Sequence, residues 1–156
     1  MKLSNVLDFL SNHKLSNDVL ILGESPSSRN SDTFRKKFKE GKIQPHGTFA
    51  RLEDWTVRLG LEEWDFHNVI PHIMNCKDIK QVDESALQKA VKGKKVIIAL
   101  GHLVARVCKK YAIDNYKIDH PSPRNRNFNG EAGRIYEQKM LDELKKFLDV
   151  KLGRKV

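Results

Sequence analysis

Cysteine is scarce in this chain. Only Cys76 and Cys108 occur among 156 residues, and they form no Cys-x-x-Cys pair. That scarcity argues against a structural disulfide and excludes four-thiolate zinc or iron–sulfur sites built from one copy of the chain. Both are expected to be buried free thiols, because an unpaired cysteine behaves as a small hydrophobe. Long apolar runs are missing too, and none approaches the roughly 20 residues of a membrane-spanning helix. Met1-Lys2-Leu3-Ser4-Asn5 lacks the apolar centre and small-residue cleavage site of a signal peptide, so a cytoplasmic location is expected. No internal repeat, low-complexity segment or linker-like stretch interrupts the chain, which predicts one domain over residues 1–156. The histidines show no ligand spacing such as His-Glu-x-x-His, even with Cys76 near His72, so no metal and no other cofactor is expected.

Acidic charge is also in deficit. Lysine and arginine number 29 against 20 aspartates and glutamates, a net charge of +9. A phosphate backbone is attracted to such a surface, although a lysine-rich protein with no nucleic-acid partner would carry the same excess. Hydrophobic residues at 39 % and charged residues at 31 % exclude disorder and fit a globular chain.

Apolar periodicity alternates between helix and strand. Val6, Leu7 and Leu10 predict an amphipathic helix over about residues 3–13. Asp18–Leu22 reads as a buried strand ending at Gly23, and Phe49, Leu52, Trp55 and Leu59 mark a second helix. Trp64–Val69 is a strand candidate. Asp83 is a predicted N-cap for a helix that aligns Ala86, Leu87, Ala90 and Val91. Val96–Leu100 is the clearest buried strand, and Leu103, Val104, Val107, Cys108 and Tyr111 line the helix after it. Tyr116–Asp119 is a shorter strand candidate, and a last helix over about 131–149 carries Tyr136, Met140, Leu144 and Phe147 as its stripe.

Strands separated by helices predict an α/β fold with a mainly parallel sheet and helices on both faces. Ligands of such folds bind beyond the carboxyl ends of the strands. The chemically capable segments follow the apolar strands directly: Gly23-Glu24-Ser25-Pro26, His67-Asn68, Gly101-His102 and His120-Pro121-Ser122-Pro123. A parallel sheet would gather all four at one end.

His120-Pro121-Ser122-Pro123-Arg124-Asn125-Arg126 is the most informative segment. Two prolines stiffen the backbone around a histidine at a strand end, and arginine and asparagine side chains suited to phosphates and base edges follow. A proline-stiffened surface turn would look the same.

The motif His-Pro-Ser-Pro resembles the second motif of the uracil-DNA glycosylase superfamily. Its extension through Arg124 and Asn125, with Asn129-Gly130 beyond, is most similar to the single-strand-selective monofunctional branch, which also handles 5-hydroxymethyluracil. Phe66-His67-Asn68-Val69-Ile70-Pro71 with Met74-Asn75 resembles that branch's middle segment, and Gly23-Glu24-Ser25-Pro26 occupies the place of the first motif. The resemblance covers residues 18–134, with the motifs in family order, and implies a three-layer α/β/α fold around a small, mainly parallel four-stranded sheet.

It also implies a base-flipping DNA glycosylase. Cleaving the N-glycosidic bond builds positive charge on the sugar and negative charge on the departing base, and the enzyme must stabilise both. His120 matches the histidine that donates to the base oxygen as it gains charge. Asn68 matches the asparagine that reads the pyrimidine edge, although a strand-end cap would use the same residue. Phe49 sits where the family stacks a ring under the flipped base, and is also at a core position of its helix. Arg124 matches the side chain that fills the gap in the duplex. Ser122, Asn125 and Arg126 become DNA contacts, with Arg134 and the Arg35-Lys36-Lys37 run as further phosphate candidates.

The first motif departs from the branch. Its Gly-Met-Asn-Pro-Gly has an asparagine that positions the attacking water; here that place is Ser25, a poor base. Other branches keep a glutamate one residue earlier, as Glu24 is here, which makes Glu24 the candidate for orienting water; a solvated or capping carboxylate is the alternative. Ser27 replaces a glycine or bulky tyrosine, and with Ser25 implies room for a C5 substituent on the pyrimidine. The expected substrate is therefore single- or double-stranded DNA carrying a modified or damaged base. The expected role is base-excision repair or defence against phages with modified DNA, with the protein acting as a monomer at the nucleoid. Two alternatives remain: a catalytically inactive module that binds modified DNA, and an N-glycosidase of free nucleosides or nucleotides.

Overall fold

The computed structural model describes residues 17–24, 48–71, 78–122 and 125–154, with backbone alone for residues 48–50. The helix expected over residues 3–13 lies outside them. Four strands, β1 (Val19–Gly23), β2 (Asp65–Asn68), β3 (Val96–Leu100) and β4 (Tyr116–Ile118), form one sheet in the order β2-β1-β3-β4. Every neighbouring pair is parallel, with Gly23 opposite Asn68, Ile21 opposite Ile98, and Leu100 opposite Ile118. The described helices are α1 (Thr48–Arg58), α2 (Glu84–Val91), α3 (His102–Lys110) and α4 (Gly130–Lys151), with single 3-10 turns at Ile79–Gln81 and Arg126–Phe128.

Strand periodicity divides the core into two layers. Val19, Ile21, Phe66, Val96, Ile98, Leu100 and Ile118 pack with Leu52, Trp55 and Leu59 of α1 and Leu141, Leu144 and Leu148 of α4. The alternate residues Leu20, Leu22 and Ala99 pack with Leu87 and Ala90 of α2 and Val104, Val107 and Cys108 of α3. The result is the three-layer α/β/α arrangement that continuous apolar strands require, since a sheet buried on both faces has no solvent side to encode. Right-handed crossovers put the connection running outward to β2 on one face, and those running back to β3 and on to β4 on the other. α1 and the pair α2 and α3 are divided in this way.

Local signals act as the sequence reading expects at α2, where Asp83 accepts from Ala86 N–H at 3.0 Å and caps the helix. α4 differs from its expected stripe. Leu141, Leu144 and Leu148 carry the burial, Met140 and Phe147 pack at its margin, and Tyr136 is 42 % exposed. The Tyr136 ring instead leans on Phe128, with centroids 5.7 Å apart, and Phe128 meets Trp55 edge-on at 5.4 Å. Gly133 lets α4 lie directly on the 3-10 turn, because a Cβ there would fall 2.1 Å from the Phe128 carbonyl carbon.

The amino ends of the strands are fastened by a buried ion pair. Lys94 Nζ meets Asp65 Oδ2, with the side chains 4 % and 1 % exposed, and also donates to the Asn17 carbonyl. Asn17 donates to both Asp65 oxygens, from its backbone N–H and its amide, each at 3.0 Å. Asp65 therefore ties together the chain entering β1, β2 and β3, and both of its carboxylate oxygens accept from a donor. Among the described residues no helix is long and apolar enough to cross a membrane.

Candidate active site

The strand order reverses direction between β1 and β3: the chain leaves β1 for β2 on one side, and leaves β3 for β4 on the other. Loops diverging from two adjacent parallel strands open a crevice at their carboxyl ends, the usual ligand position in an open α/β sheet. Glu24 follows β1 at this point, and Gly101 follows β3. Gly101 is buried with φ +88°, and its N–H donates to Ile118 O at 2.8 Å, drawing the end of β4 toward the crevice. A Cβ placed on Gly101 would lie 3.4 Å from His120 Cβ, 3.9 Å from His120 Cδ2 and 3.6 Å from Glu24 Oε1. The glutamate and the histidine therefore border one point at the switch between the strands.

The imidazole of His120 has a defined polarity. Ser122 N–H donates to His120 Nδ1 at 3.1 Å. A ring nitrogen that accepts carries no proton, so the neutral ring bears its hydrogen on Nε2 and presents a donor there. The Ser122 carbonyl is anchored in turn, accepting from Arg51 Nη1 on α1 at 3.1 Å and from Asn125 N–H at 3.0 Å. Arg51 also lies over the Phe128 ring, 4.9 Å from its centroid.

On the other flank, Asn68 ends β2 opposite Gly23. A Cβ on Gly23 would come 2.7 Å from Asn68 Oδ1, so the asparagine amide lies against the residue preceding Glu24. Asn68 is half-buried, and the backbone ladder continues past it, with Val69 N–H donating to Gly23 O and Ile70 N–H to Glu24 O. These bonds fix the direction in which Glu24 leaves the sheet. His67 is buried within β2, whereas His102 is exposed at the start of α3.

The loop after β4 is held by its own polar side chains. Asn125 Nδ2 donates to His120 O at 3.2 Å, and Asn125 Oδ1 accepts from Asn127 N–H at 3.0 Å, capping the 3-10 turn. The amide proposed to touch DNA is thus engaged within the loop. Asn127 Nδ2 donates to Asp119 Oδ2 at 2.7 Å. Burial disfavours the Asp119 carboxylate, but donors from Asn127, Tyr136 and Asn125 and the charge of Lys117 outweigh it and hold Asp119 below the usual carboxylate range.

Of the residues singled out in the sequence, the fold brings Glu24, Asn68, His120 and Ser122 to the same end of the sheet, with Asn125 bonded behind them. Arg126 and Arg134 are exposed on the adjoining surface. Phe49 lies on the first turn of α1, its side chain outside the described residues, as are Ser25, Ser27, Arg124, the Arg35-Lys36-Lys37 run, Met74, Asn75 and Cys76. Asp119, Asn127 and Tyr136 are not among the site residues the sequence points to, whereas Gly101 belongs to the Gly101-His102 segment expected at this end of the sheet. The available signal was an aspartate directly before the histidine, with asparagines at 125 and 127. Among the described residues no group of three or more His, Cys, Asp or Glu side chains could hold a metal ion.

No protein-family model matches this chain, and no curated protein or solved structure matches it either.

Proposed function

We propose that this protein is a monofunctional DNA glycosylase that extrudes a C5-substituted pyrimidine and hydrolyses its N-glycosidic bond. The observation that carries the proposal is the pairing of a neutral histidine donor with a carboxylate across Gly101, at the switch point of the sheet. Hydrolysis needs both parts. As the N–C1′ bond breaks, its electron pair moves onto the base, and His120 Nε2–H stabilises the charge that reaches the base oxygen without giving up its proton. Water forms the new bond to C1′, oriented by the Glu24 carboxylate, which accepts the proton the water loses. The base departs as its anion and is protonated from solvent, Glu24 returns its proton to solvent, and the products are the free base and an abasic sugar.

Asn68 reads the pyrimidine edge with one donor and one acceptor. The motif resemblance assigns stacking on the flipped ring to Phe49 and filling of the vacated place in the duplex to Arg124. Extrusion costs a few kcal/mol, and contacts from Ser122 and Arg126, with the +9 net charge, offset it. The preference for a C5 substituent rests on the small side chains that the sequence carries at Ser25 and Ser27. Excision of such a base serves repair, or defence against phages whose DNA carries modified pyrimidines.

The test is a base-release assay on matched oligonucleotides carrying uracil, 5-hydroxymethyluracil, 5-hydroxymethylcytosine or its glucosylated form. Faster release of a C5-substituted base than of uracil is the expected result. Equal rates on all would remove the roomy-pocket assignment. Salt-sensitive binding with no release would replace the enzyme by a module that binds modified DNA.

A further inference from the structure

We infer that Asp119 is the positioning residue of this site: it holds the loop that carries His120 in the one shape that leaves Nε2 as the donor. The inference rests on the reading of His120 as the group that stabilises the departing base.

Asp119 is the first residue beyond β4 and immediately precedes His120. Its carboxylate draws in three side chains from further along the chain. Asn127 Nδ2 donates at 2.7 Å, Asn125 Nδ2 lies at 3.5 Å, and the Tyr136 hydroxyl is a third hydrogen-bond partner. Bonds to an ionised acceptor are stronger than neutral ones, so this carboxylate dominates the loop's polar contacts.

Two paths lead from it to the imidazole. Along the first, Asn125 is held by Asp119 and donates to the His120 carbonyl at 3.2 Å. Along the second, Asn127 is held by Asp119 and its N–H donates to Asn125 Oδ1 at 3.0 Å. Asn125 in turn gives its N–H to the Ser122 carbonyl, which orients the peptide chain around the Ser122 N–H that caps His120 Nδ1. Tyr136 adds the link to the core, since its ring packs on Phe128 and Phe128 packs on Trp55. Without the carboxylate, Asn125, Asn127 and Tyr136 lose their common acceptor. The Ser122-to-His120 bond then loses the support that reaches it through Asn125.

The experiment compares wild type with Asp119→Ala, Asp119→Asn and Tyr136→Phe. One readout is long-range proton–nitrogen NMR of the His120 ring in DNA-free protein, assigned by its loss in His120→Gln. The other is single-turnover base release, with DNA affinity measured alongside. Wild type is expected to show the Nε2–H tautomer, and Asp119→Ala an average of the two tautomers. Release by Asp119→Ala should fall about 10- to 100-fold, the scale of a misplaced catalytic group, with DNA affinity changed less than about threefold. Asp119→Asn keeps an acceptor oxygen and should recover part of both. If Asp119→Ala does not fold, Tyr136→Phe and Asn127→Ala each remove one donor and should shift the ring spectrum in the same direction.

A wild-type tautomer signal in folded Asp119→Ala, or in both single-donor variants, would overturn the inference while leaving the glycosylase reading intact. Loss of the tautomer preference in a protein that releases no base from any oligonucleotide would do the reverse.

Discussion

Gly101 and His120 approach so closely that a methyl group on the glycine would stand 3.4 Å from His120 Cβ, with Glu24 Oε1 3.6 Å from the same point. Gly101 also has φ +88°, a region that disfavours any residue with a Cβ. Gly101→Ala should therefore lower stability by about 1–3 kcal/mol in a denaturant melt. The change should also reduce base release by more than the fraction of unfolded protein explains. A stable Gly101→Ala variant with wild-type rates would show that the point between Glu24 and His120 is not used.

The buried Lys94–Asp65 pair predicts a non-additive response. Lys94→Met leaves the Asp65 charge inside without its cation, and Asp65→Leu leaves the ammonium; each should cost about 3–5 kcal/mol. The double variant removes both charges and should recover much of the loss. Additive losses in the denaturant cycle would mean that the pair is not coupled.

Ala112 is a place where the chain can be improved. It has φ +55° just beyond α3, where Ile113 N–H donates back to Cys108 O at 2.8 Å and closes the helix. Glycine is the usual residue at this left-handed position. Ala112→Gly should stabilise the protein by roughly 0.5–1 kcal/mol, the strain relieved less the entropy glycine adds to the unfolded chain. A lower melting temperature would contradict this.

Cys108 gives the alkaline limb of stability a specific cause. Burial pushes its thiol up to about 11, above the ordinary value of 9.0, so the folded state holds that proton more tightly than the unfolded chain does. The stabilisation is complete below about pH 9 and is lost as pH rises toward about 11. Tyr116 and Tyr136, raised mainly by burial, act in the same direction. Stability measured from pH 8 to 11 should fall less steeply in Cys108→Ala, and identical slopes would contradict the assignment.

The central strands β1 and β3 were legible because they are buried on both faces: Val96–Leu100 appears in the sequence as an uninterrupted apolar run and occupies the sheet with the same bounds. The convergence of Glu24, Asn68 and His120 was legible for a topological reason, since parallel strands carry their following loops to one end. Tyr136 misled, because helical spacing counts an aromatic as core, whereas its hydroxyl is committed to Asp119 and its ring sits half outside. The Lys94–Asp65 pair was illegible, since charged residues 29 positions apart read as solvated until the sheet brings them together. Asp119 read as a strand end, and Asn125 as a DNA contact. Their mutual bonding depends on how the loop folds over β4, which residue types alone do not encode.

The central claim is that His120 and Glu24 together break a glycosidic bond, and single-turnover release of free base tests it most directly. Wild type, His120→Ala and Glu24→Gln would each be mixed in excess with the best oligonucleotide of the panel, and the liberated base quantified. The account predicts release by wild type, with the rate reduced about 10²- to 10³-fold in His120→Ala, the scale of a lost transition-state donor, and also reduced in Glu24→Gln. Release that persists at the wild-type rate in His120→Ala would contradict it, as would the absence of any free base from wild type.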